Sequence, residues 1–151
     1  MSDHALLSAS SAKRWLACTP SARFEEQFEE TTSSYASEGT AAHYFAENLI
    51  RACLHGDAGA QQRAEAFRAA NPFYDGAMEE HISKYVDLVI ERFNEARAAT
   101  ADAIIYLEQR LDYSAWAPEG FGTGDVIIIA DDTLEVIDLK YGKGVPVEAE
   151  G

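Results

Sequence analysis

Apolar side chains recur every three or four residues from Met78 to Ala96: Met78, Ile82, Tyr85, Val86, Val89, Phe93 and Ala96. That is the 3.6-residue period of an amphipathic helix, so the spacing predicts a core-packing helix over 77–99 with a charged outer side. A second helix is predicted over 38–54. Ser37 suits the N-cap, Glu38 the first turn and Gly56 the stop, and Ala42, Ala46, Leu49 and Cys53 recur on the inward face. His43 and Glu47, four residues apart, share a neighbouring edge of that helix, where a histidine bonded to Glu47 is the plain reading. Shorter helices are predicted near 10–18, 20–31 and 60–70. In "FEEQFEE", Phe24 and Phe28 are expected inward and the acids solvated. The run "NPFYDG" reads as a loop from its Pro, Asn, Asp and Gly content.

Beyond residue 100 the period changes to two. In "AIIYLEQRLDY", Ile105, Leu107 and Leu111 fall on one face of a strand over 103–113, and Ile104, Tyr106, Glu108 and Arg110 on the other. "SAWAPEGFGTG" is a loop in which Trp116 and Phe121 are expected as anchors, with stacking on a nucleobase the alternative. A hairpin follows: the β-branched run Val126–Ile129, turn residues Asp131 and Asp132, then Leu134–Leu139. Centring the turn on the two aspartates opposes Ala130 to Thr133, Ile128 to Glu135 and Asp125 to Asp138. The expected fold is α/β, a helical N-terminal half (helices within roughly 8–100) packed on a small mixed sheet (strands within roughly 103–141).

That register creates an electrostatic problem. Opposed residues carry Cβ atoms about 4.5–5.5 Å apart, and like charges there destabilise a sheet. Lys140, two positions past Asp138, shares its face. Two readings stand side by side. Either the charges are a frayed hairpin end facing water, or a divalent cation held by both carboxylates cancels their repulsion, as hard oxygen ligands do for Mg²⁺ or Mn²⁺. Glu108 can approach from the neighbouring strand, although an exposed or Arg-paired glutamate is the equal alternative.

At these residues, "GTGDVIIIADDTLEVIDLKYGKG" resembles the active-site hairpin of the PD-(D/E)XK nucleases, RecB-like branch, as carried by phages and prophages. The resemblance lies in Gly122 to Asp125 followed by Asp138-Leu139-Lys140. "ASEGTAAHYFAENLI" is similar to the family's upstream helix, with Gly39 and His43 at its Gly-x-x-x-His positions. "LSASSAKRWLACTPSARFE" is similar to its opening turn at Ser8, Ser10, Trp15, Cys18 and Pro20. The resemblance implies a partial restriction-endonuclease-like core and metal-dependent DNA hydrolysis. By it Asp125, Asp138 and Lys140 are catalytic, and His43, Asp125 and Asp138, with Glu108 as a weaker fourth, are ligands to Mg²⁺ or Mn²⁺. It also implies a following helix with a Gln-x-x-x-Tyr element. Only seven residues follow Gly144. The expectation is therefore a fragment or a domain completed by another segment or chain, self-associating through its C-terminal sheet or docking on a helicase- or recombinase-type protein.

Composition bounds the rest. With 151 residues, 47% hydrophobic and 25% charged, one compact domain over 1–151 is expected. No apolar run approaches the ~20 residues of a membrane span, and no signal pattern opens the chain, so a cytoplasmic protein away from membranes is expected. Cys18 and Cys53 are expected as free thiols, small residues of the core. Some nucleases of this branch hold an iron-sulfur cluster, but no cysteine trio follows the hairpin here. The net charge is −14, with eleven acids against three bases from residue 101 onward. Such a balance opposes tight unaided binding to DNA.

Overall fold

The computed structural model describes residues 5–28 and 34–142. After a 3-10 turn at Ala9–Ser11 come α1 (Ala12–Ala17), α2 (Ser21–Glu25), α3 (Ser34–His55), α4 (Ala58–Ala70) and α5 (Gly76–Ala99). Three strands follow, β1 (Ile104–Asp112), β2 (Phe121–Ala130) and β3 (Thr133–Ile137), in the spatial order β1-β2-β3. The chain forms two compact units, a larger one within residues 32–107 and 125–151 and a smaller one within 1–31 and 108–124.

In the larger unit, the long helices pack on each other and on an antiparallel sheet. The expected stripe of α5 is found: Met78, Ile82, Val86, Val89 and Phe93 are buried. They meet Phe45 and Ile50 of α3, Phe67 of α4 and the strand residues Leu107, Val126 and Ile128 in one core. Burying each such side chain contributes about 1.5–3 kcal/mol. Phe45 and Phe67 stack with ring centroids 4.8 Å apart. Helix ends are set by local chemistry. Asp57 accepts from the Ala60 amide and Asp75 from the Met78 amide, each satisfying one orphan donor of a first turn. Gly56, at φ 62°, stops α3 in the left-handed conformation that glycine adopts freely.

Helix α3 departs from expectation at its N-terminal end and in its buried face. It starts at Ser34, so Ser37 lies inside it, because nothing between Tyr35 and Ser37 breaks a helix. Its buried face is rotated: Phe45, Asn48 and Ile50 are buried with Ala42 and Ala46, whereas Cys53 is exposed. Asn48 is tolerated there because it donates to the Tyr44 carbonyl and accepts from Arg63, each at 2.7 Å.

Strands β2 and β3 pair antiparallel in the expected register, Ile128 opposite Glu135 and Ala130 opposite Thr133, continuing to Val126 opposite Ile137. The sheet is antiparallel rather than mixed. Parallel neighbours need a crossover of a dozen or more residues, and β1 is joined to β2 by residues 113–120 alone. Strand β3 stops at Ile137, two residues short of the expected end, since the Leu139 amide bonds to the Asp125 side chain.

In the smaller unit, Tyr113 is the anchor of the loop. Its amide bonds to the Gly120 carbonyl, and its hydroxyl lies 3.2 Å from the Leu7 carbonyl and 3.0 Å from that of Phe121. Gly120 is required at this closure, because a Cβ there would stand 2.6 Å from both the Ala117 carbonyl and the Tyr113 ring. Phe121 carries the Arg110 guanidinium over its ring at 4.0 Å, while Trp116 is 84% exposed and anchors nothing. Phe24 and Phe28 are exposed, stacked edge to face on each other at 5.2 Å instead of facing inward. The short α2, five residues long, offers them no facing core. Cys18 is exposed as well, so neither cysteine is a core residue.

Candidate metal centre

Asp125 sits in β2, immediately before the buried Val126, so its side chain leaves the sheet where the apolar run begins. Its Oδ1 lies 3.3 Å from Nδ1 of His43, which α3 delivers from the turn after Gly39. Its Oδ2 accepts the Leu139 amide at 2.7 Å. Only 11% of the Asp125 side chain is exposed, against 30% for His43, so the pair opens to solvent on one side. Burial pushes the Asp125 carboxyl upward. The hydrogen bond to His43, the Leu139 amide and the charges of His43 and Lys140 together outweigh it, and the carboxyl ends below its usual range.

Glu108 in β1 has φ 50°, a left-handed conformation inside a strand that is uncommon outside glycine. Such a residue breaks the strand's alternation and re-aims a side chain, at a cost of about 1–3 kcal/mol. His43, Glu108 and Asp125 each offer a ligand atom, and these atoms lie within 4.8 Å of one another. Among the described residues it is the one cluster of three histidine, cysteine or acidic side chains so placed. Two carboxylates and an imidazole make a donor set suited to a divalent cation, the imidazole favouring Mn²⁺ over Mg²⁺.

Asp138 and Lys140 are found together. Lys140 Nζ lies 2.6 Å from Asp138 Oδ2, with both side chains about half exposed or more. Asp138 lies one residue past the end of β3, outside the ladder. Between the two, Leu139 is buried, and Tyr141 packs against the core edge-on to the His81 ring at 6.1 Å. Lys140 is thus carried on a backbone held on both sides. The carbonyl of Tyr141 lies 3.6 Å from where a Gly39 Cβ would be, so the segment after β3 passes in contact with α3.

Residues 4–151 match a family described as a protein of unknown function, DUF2800. The chain belongs to the DUF2800 family. No solved structure matches it. For this DUF2800 chain, His43, Glu108 and Asp125 form a cluster capable of chelating a metal ion, and no helix of the described residues is long and apolar enough to cross a membrane.

Sequence reasoning missed the part played by the Leu139 amide. The signal was present in the hairpin register, since a carboxylate at the β2 end faces the backbone just beyond β3. The kink at Glu108 had no signal, because nothing in "IIYLEQRLD" marks a positive φ.

Proposed function

We propose that this chain carries the metal site of a divalent-cation-dependent nuclease that hydrolyses phosphodiester bonds in DNA. The observation that carries the reading is the Asp125 carboxylate, held by Leu139 and set beside His43, with Glu108 in the same cluster. The resemblance of the hairpin and of the helix bearing Gly39 and His43 to RecB-like nucleases supports the choice of substrate. Mn²⁺ or Mg²⁺ bound there would polarise a phosphoryl oxygen and lower the pKa of a bound water. Asp125 and His43, with Glu108, hold the ion. Asp138 is the further acidic ligand that the resemblance implies, and its ligation competes with its pairing to Lys140. Lys140 orients the attacking water or meets the charge developing on the phosphate. The acidic balance of the chain opposes DNA, so the bound cation and Lys140 bear most of the attraction to phosphate.

Linear and circular DNA incubated with the chain and Mn²⁺ test this reading. Cleavage by the wild type that is lost in Lys140→Ala, while Lys140→Ala keeps its affinity for Mn²⁺, is the outcome that supports the reading. Cleavage by Lys140→Ala at the wild-type rate overturns the assignment of Lys140. Absence of cleavage in a wild type that binds Mn²⁺ leaves a metal-binding domain and removes the nuclease.

A further inference from the structure

The sheet of the larger unit turns one face to the helices and one away. Ile105, Leu107, Val126, Ile128 and Ile137 belong to or pack on the helix-side core, and Glu135 pairs there with Arg92 of α5. Strand alternation sends the intervening positions to the other face: Ile104 and Tyr106 of β1, Ile127 and Ile129 of β2, Leu134 and Val136 of β3. All six are large and apolar. Two direct cross-strand pairs, Ile127 with Val136 and Ile129 with Leu134, tie β2 to β3 on this face. Ile127, on the central strand, is buried, and the other five keep between 39% and 67% of their surface exposed. An antiparallel sheet that faces water alternates apolar with polar positions, and this one does not. Contiguous apolar surface of this kind marks an interaction site.

The charges around the face select the occupant. Residues 104–107 and 125–137 contain no lysine or arginine, and their charged side chains are Asp125, Asp131, Asp132 and Glu135. Asp125 is held by His43 and the Leu139 amide, Glu135 by Arg92 and Asp131 by Thr100, leaving Asp132 at the hairpin turn and Asp102 before β1 as exposed carboxylates. A second copy would bring a like-charged rim and its own net charge of −14. DNA would be repelled in the same way. Three strands about 4.8 Å apart span roughly 10 Å, the diameter of one helix. We propose that this face docks one amphipathic helix of a partner protein, with aliphatic side chains on its inner face and lysine or arginine along its flanks beside Asp102 and Asp132. The proposal is independent of the metal site.

The probe is a synthetic 18-residue helix with leucines on one face and lysines on both flanks, titrated calorimetrically into the full chain. One peptide per chain is expected, with backbone amide shifts in β3 and near Ile104 and Tyr106. Val136→Glu, which sets a charge beside Ile127 of the central strand, should weaken binding at least about tenfold, the effect of losing an apolar anchor. Leu134→Ser, at the most exposed position of the face, serves as the second variant should Val136→Glu fail to fold by circular dichroism. Asp132→Lys should weaken the lysine-flanked peptide, and a glutamate-flanked version of the same peptide should not bind. Absence of binding, or affinity unchanged in Val136→Glu and Leu134→Ser, overturns the proposal. So does sedimentation of the chain alone showing a dimer that Val136→Glu abolishes, since a second copy is then the occupant.

Discussion

The amide of Leu139 donates to Asp125 Oδ2 across 2.7 Å, tying the residue after Asp138 to the start of the apolar run of β2. This bond ends β3 and leaves Oδ1 of Asp125 for His43. Removing the carboxylate strands a buried donor, which costs about 1–3 kcal/mol. Asp125→Ala should therefore lose stability of that order in urea denaturation without metal. Asp125→Asn, whose amide oxygen still accepts, should lose clearly less. Equal loss in the two variants would show that the Leu139 bond is not what the carboxylate contributes.

The network of Arg68, Tyr74 and Glu79 makes an acid-sensitive element outside the metal cluster. The hydrogen bond from Arg68 lowers the Glu79 carboxyl; burial opposes this, and Tyr74 adds to the lowering. A carboxyl lowered in the folded state stabilises fully above its unfolded value and loses that contribution as pH falls through its folded value. Wild-type stability should thus fall below about pH 4, the ordinary glutamate range. Glu79→Gln should be less stable at pH 7 and lose less between pH 5 and 3. Both groups are about one third exposed, so the difference at pH 7 should be modest, about 0.5–1.5 kcal/mol. Parallel pH curves for the two proteins would contradict this.

Gly120→Ala should destabilise the loop between β1 and β2. The added methyl meets a backbone oxygen and the Tyr113 ring at 2.6 Å, and the oxygen cannot move without the chain. Overpacking of this kind costs about 1–3 kcal/mol. Thermal melting with an unchanged midpoint would show that the loop relaxes freely.

Much of this architecture was legible because it rests on periodicity. The stripe of α5 and the hairpin register from Ala130–Thr133 to Val126–Ile137 follow from side-chain spacing alone and are found, whereas the expected opposition of Asp125 to Asp138 lies beyond the last paired residues. Helix faces in the first third were less legible. Phe24 and Phe28 read as inward because aromatics usually are, but α2 is too short to have an inside. Cys53 fell on a stripe drawn through alanines, and the true stripe follows the larger Phe45 and Ile50, which bury more surface. At the candidate site, His43, Asp125, Asp138 and, more weakly, Glu108 were named from the chain; the structure brings His43, Asp125 and Glu108 into one cluster and leaves Asp138 outside it, paired with Lys140. Their arrangement depends on a positive φ at Glu108 and on a side chain capping a backbone amide, neither of which leaves a mark in the order of residues.

The central claim is that Asp125 and His43 hold a divalent cation, and calorimetric titration of Mn²⁺ into the chain measures it directly. One ion per chain is expected. Loss of even a supporting residue around a metal weakens binding by about 10–100-fold, so Asp125→Asn and His43→Ala should each fall by at least that. Glu47→Gln, on the neighbouring edge of α3 where Glu47 pairs with Arg51, should leave the affinity unchanged. Wild-type, Asp125→Asn and His43→Ala proteins binding Mn²⁺ equally well, or none of them binding it, would contradict the account.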